Sequence, residues 1–290
     1  MLDLSAALTT ALEAVAVARE LLLNECARPD GPRGEIGHCP ADDEAEWAIR
    51  QRLLGAFPKW GFLGEETGSH PAETGHDYVW VVDPNDGTTS MQRGYRGHAI
   101  SVALVHAGLP RLGVVCAVDA PDDDGDLWAW AEGCGPLERN GAPVAPIAWQ
   151  EALGPQDVVC LSQGANRNPL GYGPCVTPAR FVGLPSIAYR LALVACGECA
   201  ATVSLNHLSS WDYAGGHALL RGVGGVLVDD RGHEITYARD GSGMARRVFG
   251  GGPRVAAELV HPPGRTPRAA VSAKQRHPRA LLQSARDPTD

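Results

Sequence analysis

Apolar positions recur at two different periods along this chain, and the changes between them outline its elements. Leu4, Leu8, Ala11, Leu12 and Val15 return every three or four residues among Asp3, Glu13, Arg19 and Glu20. That spacing lays one apolar stripe along a helix and predicts α-helix over residues 3–26. Ala45, Ala48, Ile49 and Leu53 repeat the pattern and predict a second helix over 42–57. Between them, residues 27–40 are too rich in Gly and Pro for regular structure. Apolar runs at 78–83, 98–106, 111–118 and 127–132 then read as strands. The middle two form an antiparallel pair around Ala107-Gly108-Leu109-Pro110, and Gly141-Ala142-Pro143 closes this half.

The second half reads as a strand near 157–162, a loose loop over 163–178 and a strand near 179–184. A helix near 186–197, a strand at 200–204, a helix at 212–223 and a strand at 225–229 follow, with Arg231-Gly232 making the last hairpin. Strands and helices mix without strict alternation, so the fold class is α+β in layers. The halves divide as residues 1–145 and 146–260. Residues 261–290, with Pro262, Pro263, Pro267, Pro278 and Pro288, read as a disordered tail without chemistry.

Composition narrows the function classes. A chain of 290 residues, 44% hydrophobic, can bury a large core. Net charge is −9, which argues against a nucleic-acid polymer as partner, since that calls for a basic face. No apolar run approaches the ~20 residues of a membrane span, and the first helix is amphipathic rather than a signal peptide. The eight Cys show no zinc spacing; Cys196 and Cys199, separated by two residues in an apolar helical pattern, read as core thiols. A reducing cytoplasm is the simplest compartment.

Candidate chemistry lies in three acidic segments. Trp80-Val-Val-Asp83-Pro84-Asn85-Asp86-Gly87-Thr88 puts two carboxylates three residues apart after an apolar run. Pro84 should break the strand there, Gly87 should allow a sharp turn, and Thr88 should open a helix. Phe62-Leu-Gly64-Glu65-Glu66-Thr67 ends an apolar approach in paired carboxylates. Trp211-Asp212-Tyr-Ala-Gly-Gly216 sets one Asp ahead of small residues and an apolar helical stretch. Taken singly, the three read equally as a solvated turn, a charged loop and a helix N-cap. Together they supply hard oxygen donors for a divalent cation beside a phosphate.

These segments, in this order, resemble the motifs of the inositol monophosphatase superfamily over roughly residues 5–260. The resemblance implies a layered α/β/α/β/α sandwich and a Mg²⁺-dependent, lithium-sensitive phosphatase, usually a homodimer, with two or three Mg²⁺ per site. Glu65, Asp83 and the Asn85 carbonyl would hold one Mg²⁺; Asp83, Asp86 and Asp212 a second; Glu66 a weaker third. Gly87 and Thr88 would bind phosphate through their N–H groups, while Glu65 and Thr88 orient a metal-activated water. Asp42 and Glu46 match a family Asp-x-x-x-Glu pattern, either as support for the metal ligands or as a solvated helix face. Residues 27–40 match a mobile loop that covers the site. Two departures are Asn85, where an aliphatic residue is usual, and Met91, where an aromatic is usual.

The substrate expected is a small phosphorylated metabolite: a sugar, cyclitol or inositol phosphate. The alternatives are a nucleotide or 3'(2'),5'-bisphosphate, or phosphate binding without turnover. Leu205 stands where inositol phosphatases carry a Glu that contacts inositol hydroxyls, which counts against inositol phosphate itself. Ser186 and Arg190 fall on a helix that carries a Lys in bisphosphate nucleotidases, so Arg190 would bind a second phosphate or else pair with a surface acid. Arg180 is a weaker candidate for that role. Arg93, Arg96 and His98 would line the pocket mouth or only solvate it. His207 and His217 read as packed residues rather than ligands.

Overall fold

The structure, a computed structural model, describes residues 4–261; all of the expected tail except His261 lies outside them. Helices α1 (Ser5–Cys26) and α2 (Pro40–Ala56) come first. The strands β1 (Gly61–Gly64), β2 (Gly68–His70), β3 (Tyr78–Asp86), β4 (Ala99–His106), β5 (Leu109–Ala117), β6 (Asp126–Ala131), β7 (Glu138–Arg139) and β8 (Ala142–Pro143) build one sheet, ordered β2-β1-β3-β4-β5-β6-β7-β8. The single turn α3 (Thr88–Met91) joins β3 to β4.

A second sheet follows from β9 (Val158–Ser162), short helices α4 (Gly164–Arg167) and α5 (Pro169–Tyr172), β10 (Arg180–Leu184), α6 (Ile187–Ala195) and β11 (Ala201–Ser204). The chain then runs through β12 (Leu208–Ser209), α7 (Ser210–Gly222), β13 (Val226–Val228), β14 (Met244–Ala245), β15 (Val248–Gly251) and α8 (Pro253–Val260). Strand order in this sheet is β10-β9-β11-β15-β13.

Three cores make five layers of these elements. In β3, Trp80 and Val82 pack towards α1 and α2, whereas Val79 and Val81 pack towards α6 and α7. In β9, Cys160 faces α6 and α7, while Val159 and Leu161 face the opposite side with Val255 and Leu259 of α8. Alternate side chains on a strand point to opposite faces, so a strand apolar at every position must be covered on both. That is why these runs lack the alternating polarity of a half-exposed sheet. Among the described residues, the middle layer, α6 and α7, is the only helical layer that touches both sheets.

Three sequence expectations change. Pro84 does not end β3: the strand bulges between Asp83 and Asp86 and resumes pairing at Asp86 with Ala99. A bulge tolerates a residue that cannot donate a ladder hydrogen bond. The loop over 163–178 contains α4 and α5. The chain does not finish at a hairpin near Arg231-Gly232, because β15 inserts between β11 and β13, antiparallel to both.

Glycines let the middle layer close. A Cβ on Gly216 would collide with Leu191 of α6, and one on Gly215 would sit 2.7 Å from Ser101 Oγ of β4. Gly216→Val is therefore expected to cost roughly 3 kcal/mol through overpacking. Chemical denaturation measures this, and an unchanged midpoint would show that α6 and α7 are not so closely apposed.

Candidate active site

The bulge in β3 builds one wall. Asp83 accepts the Asn85 N–H at 2.8 Å, which folds the chain back at Pro84. Gly87 then turns with φ +116°, and a Cβ there would lie 3.2 Å from His98 Cβ. A positive φ with no room for a side chain leaves Gly as the fitting residue.

The middle layer supplies the opposite wall. Asp86 accepts the Ser186 hydroxyl at 2.7 Å and the Ala188 N–H at 2.9 Å, both from the start of α6. Ser186 is also the N-cap of that helix, accepting from Tyr189 N–H. Asp212 lies in the first turn of α7 and accepts the Ser209 N–H at 2.7 Å in a capping box. Two carboxylates thus meet the positive ends of two helices. Ligand atoms of Asp83, Asp86 and Asp212 all lie within 4.8 Å of one another.

Glu65 follows β1 at the exposed rim, with its carboxyl beside that of Asp83. Desolvation of the carboxyl where it turns inward, then the neighbouring charges of Glu66 and Asp86, push Glu65 up to about 7. Burial, then the charge of Glu65, lifts Asp83 well above the usual range. Asp86 is also raised by burial, against the pull of Ser186 and Arg190. Burial and the charge of Asp86 bring Asp212 to about 8. A cation among these groups would remove the repulsion.

Two buried acids of α2 brace the site. Glu46 accepts the N–H groups of Glu66 (3.0 Å) and Thr67 (2.6 Å), and its carboxylate fills the space a Cβ on Gly64 would need. The glycine of Gly64-Glu65-Glu66 thus makes room for the group that holds the loop. Asp42 accepts the Thr88 hydroxyl and the Asn85 side-chain amide, each at 2.8 Å. Burial raises Asp42 to about 6. Neither acid is a solvated helix face: Asp42 and Glu46 are 1% and 0% exposed.

The Asn85 carbonyl lies 3.1 Å from the Thr88 hydroxyl. The Asn85 amide also reaches Met91 Sδ at 3.3 Å, so the two departures from the family pattern touch each other. Asn85 Oδ1 lies 2.6 Å from His98 Nδ1. His98 is fully buried and not at a pocket mouth, and burial lowers it to about 4. Sequence reasoning missed this link; a lone polar residue ahead of an apolar run was its only signal. Arg96 is drawn away to the Asp119 carbonyl and Asp123. Glu66 lies apart from the three Asps, 3.7 Å from His38. His207 is exposed, and His217 is buried against the Tyr237 hydroxyl.

Arg190 requires a correction. It is 2% exposed and donates to the carbonyls of Ser186 (3.1 Å) and Val203 (2.9 Å). Among the described residues it pairs with no surface acid, and it offers no free fork to a second phosphate; its charge lies behind Asp86. Ser186 likewise spends its hydroxyl on Asp86. Arg180, on the edge strand β10, donates to the Gln156 carbonyl. Arg190→Met is expected to cost roughly 3–5 kcal/mol of stability, because it strands a buried carboxylate and two carbonyls. Denaturant unfolding checks this. Unchanged stability with selective loss of bisphosphate hydrolysis would instead return Arg190 to the substrate.

A layered α+β fold with carboxylates gathered at the ends of β1, β3 and α7 defines a class of phosphoric monoester hydrolases. Within it, the inositol monophosphatase family model matches residues 3–263, and this chain belongs to that family. An inositol-1-monophosphatase of Bacillus subtilis (strain 168) is 28% identical over 207 residues, covering 70% of this chain and 76% of the relative. A histidinol-phosphatase of Chlorobaculum parvum is 28% identical over 228 residues, covering 72% and 79%. The crystal structure of the extragenic suppressor protein SuhB from Bartonella henselae superimposes with a TM-score of 0.72 at 23% identity, over 88% of this chain and 97% of that one.

Proposed function

We propose that this protein is a Mg²⁺-dependent phosphatase of a small phosphorylated metabolite, a sugar or cyclitol phosphate. The observation that carries the reading is the meeting of Asp83, Asp86 and Asp212 within 4.8 Å, with the Glu65 carboxyl beside Asp83. Four carboxyls that repel one another, with the nearest Arg engaged by carbonyls, suit a hard cation and oxygen ligation. Glu65 and Asp83 would share one Mg²⁺, joined by the Asn85 carbonyl. Asp83, Asp86 and Asp212 would share another, and Glu66 would serve a weaker third. Bound Mg²⁺ supplies a lowered water pKa and neutralises charge on the phosphate and leaving oxygen.

The chain's own groups do the rest. Gly87 and Thr88 offer backbone N–H groups to phosphate oxygens. Glu65 and Thr88 orient the attacking water; Thr88 takes a proton from that water as its own hydroxyl proton passes to Asp42, whose raised pKa suits an acceptor near neutral pH. By motif position Leu205 replaces the acidic residue that would contact inositol, and its side chain packs against the core beneath α8, which favours other sugar or cyclitol phosphates. Lithium sensitivity, a homodimer and a cytoplasmic location accompany this reading as family expectations.

The test is phosphate release from inositol 1-phosphate, fructose 1,6-bisphosphate, sugar phosphates, adenosine monophosphates and adenosine 3',5'-bisphosphate, with and without Mg²⁺ and Li⁺. Mg²⁺-dependent release from a sugar or cyclitol phosphate is expected. Release confined to the nucleotides would overturn the substrate class, and release that ignores Mg²⁺ would overturn the metal site.

A further inference from the structure

Two thiols outside the site lie within reach of a covalent bond. Cys160 sits on β9 facing the middle layer, and Cys199 lies two residues before β11. The Cys160 thiol donates to Cys199 Sγ at 2.8 Å. A disulfide needs ~2.05 Å, so ~0.8 Å of approach closes the bond. The backbones are already tied beside them, with Ala200 N–H donating to the Val158 carbonyl at 2.9 Å.

We propose that Cys160 and Cys199 form a disulfide when the protein meets a peroxide, stapling β9 to the turn after α6. Cys199, 7% exposed against 0% for Cys160, is the sulfur that meets the oxidant. The Cys160 thiol donates to it and lowers its pKa, which favours the thiolate. The Cys199 thiolate attacks one peroxide oxygen; the O–O bond breaks, and the other oxygen leaves as water with the proton Cys199 gave up. The Cys160 sulfur then attacks the Cys199 sulfenic acid; the S–O bond breaks, and its hydroxyl leaves as water with the Cys160 proton. Two thiols are oxidised and one peroxide is reduced. The closed segment contains β10 and α6, hence Ser186, Ala188 and Arg190 around Asp86. The staple therefore limits unfolding of the segment that holds this carboxylate.

The experiment treats the full chain with hydrogen peroxide, blocks remaining thiols with N-ethylmaleimide in denaturant and maps the peptides by mass spectrometry. Thiols are expected to fall from eight to six, with a peptide joining Cys160 to Cys199. The melting temperature should rise and return on reduction with dithiothreitol, while Cys199→Ser shows no rise. Eight surviving thiols, a bond from Cys196 to either sulfur, or a Cys160–Cys199 bond with no rise in melting temperature would overturn the proposal. Should the variant not fold, the wild-type peptide map and the wild-type melting shift that dithiothreitol reverses decide together.

Discussion

Asp212→Asn is expected to lower Mg²⁺-dependent phosphate release by about 10³-fold or more, while raising the melting temperature of the metal-free protein. The two effects have one cause. Asp212 is forced up to about 8 by burial and by the charge of Asp86, so near neutral pH the metal-free fold must either protonate it or hold its charge at a cost. Asn keeps an oxygen for the Ser209 N–H, so the capping box loses no partner. What it lacks is the negative charge, a burden to the metal-free fold and the reason a cation would bind. Asp86→Asn should lower the rate alike, since one amide oxygen can still accept from both Ser186 and Ala188, but without the rise in melting temperature, because the buried Arg190 loses its counter-charge. Steady-state rates and calorimetric melting of the same preparations check this. Near-wild-type rates in either variant would defeat the two-metal reading, and a lowered metal-free melting temperature in Asp212→Asn would show that the charges are not in conflict.

Without divalent metal, the protein is expected to lose stability as pH rises from 6.5 to 8.5, by about 5 °C in melting temperature; excess Mg²⁺ should abolish that slope. The sign follows from the raised carboxyls. Asp42 at about 6, Asp212 at about 8 and the Glu65–Asp83 pair all lie above their unfolded values. Their favourable contribution is complete below the unfolded carboxyl range and disappears as pH climbs through the folded values. Two histidines act in the opposite direction. His98 and His217 are buried neutral and lowered to about 4 and about 3, so their contribution is complete above about 6.5 and lost as pH falls. Working above pH 6.5 therefore takes the histidines out of the slope, while buried thiols such as Cys26 and Cys116, raised to about 11 and about 12, join it with the same sign only at the alkaline end. Cation binding competes with protons for these oxygens, so the stabilisation by Mg²⁺ should grow with pH. Stabilisation equal at both pH values would mean the metal binds elsewhere.

The elements were largely legible because each carries a local period. The stripe Leu4–Leu8–Val15 marked α1, and the apolar runs marked β3, β4 and β5. The short strands and one-turn helices were not legible, since two to four residues hold no period. β15 was missed for a different reason: its partners β11 and β13 lie far away in sequence, and only their hydrogen bonds give Val248–Gly251 a place.

At the site, the carboxylates could be named from their motifs, and the structure brings Asp83, Asp86 and Asp212 together. Arg190 could not be judged that way. Its helix α6 is buried on every side, between two sheets, and a guanidinium there turns to the nearest carbonyls rather than to solvent. The same holds for His98, whose partner Asn85 is reached only across the β3–β4 pair. Sequence by itself determined residue chemistry, local period and the order of the acidic motifs, because these are properties of neighbours along the chain. Tertiary structure alone decided which charges share a low-dielectric space, and therefore which protons are held, which cations are spent on carbonyls and which sulfurs meet.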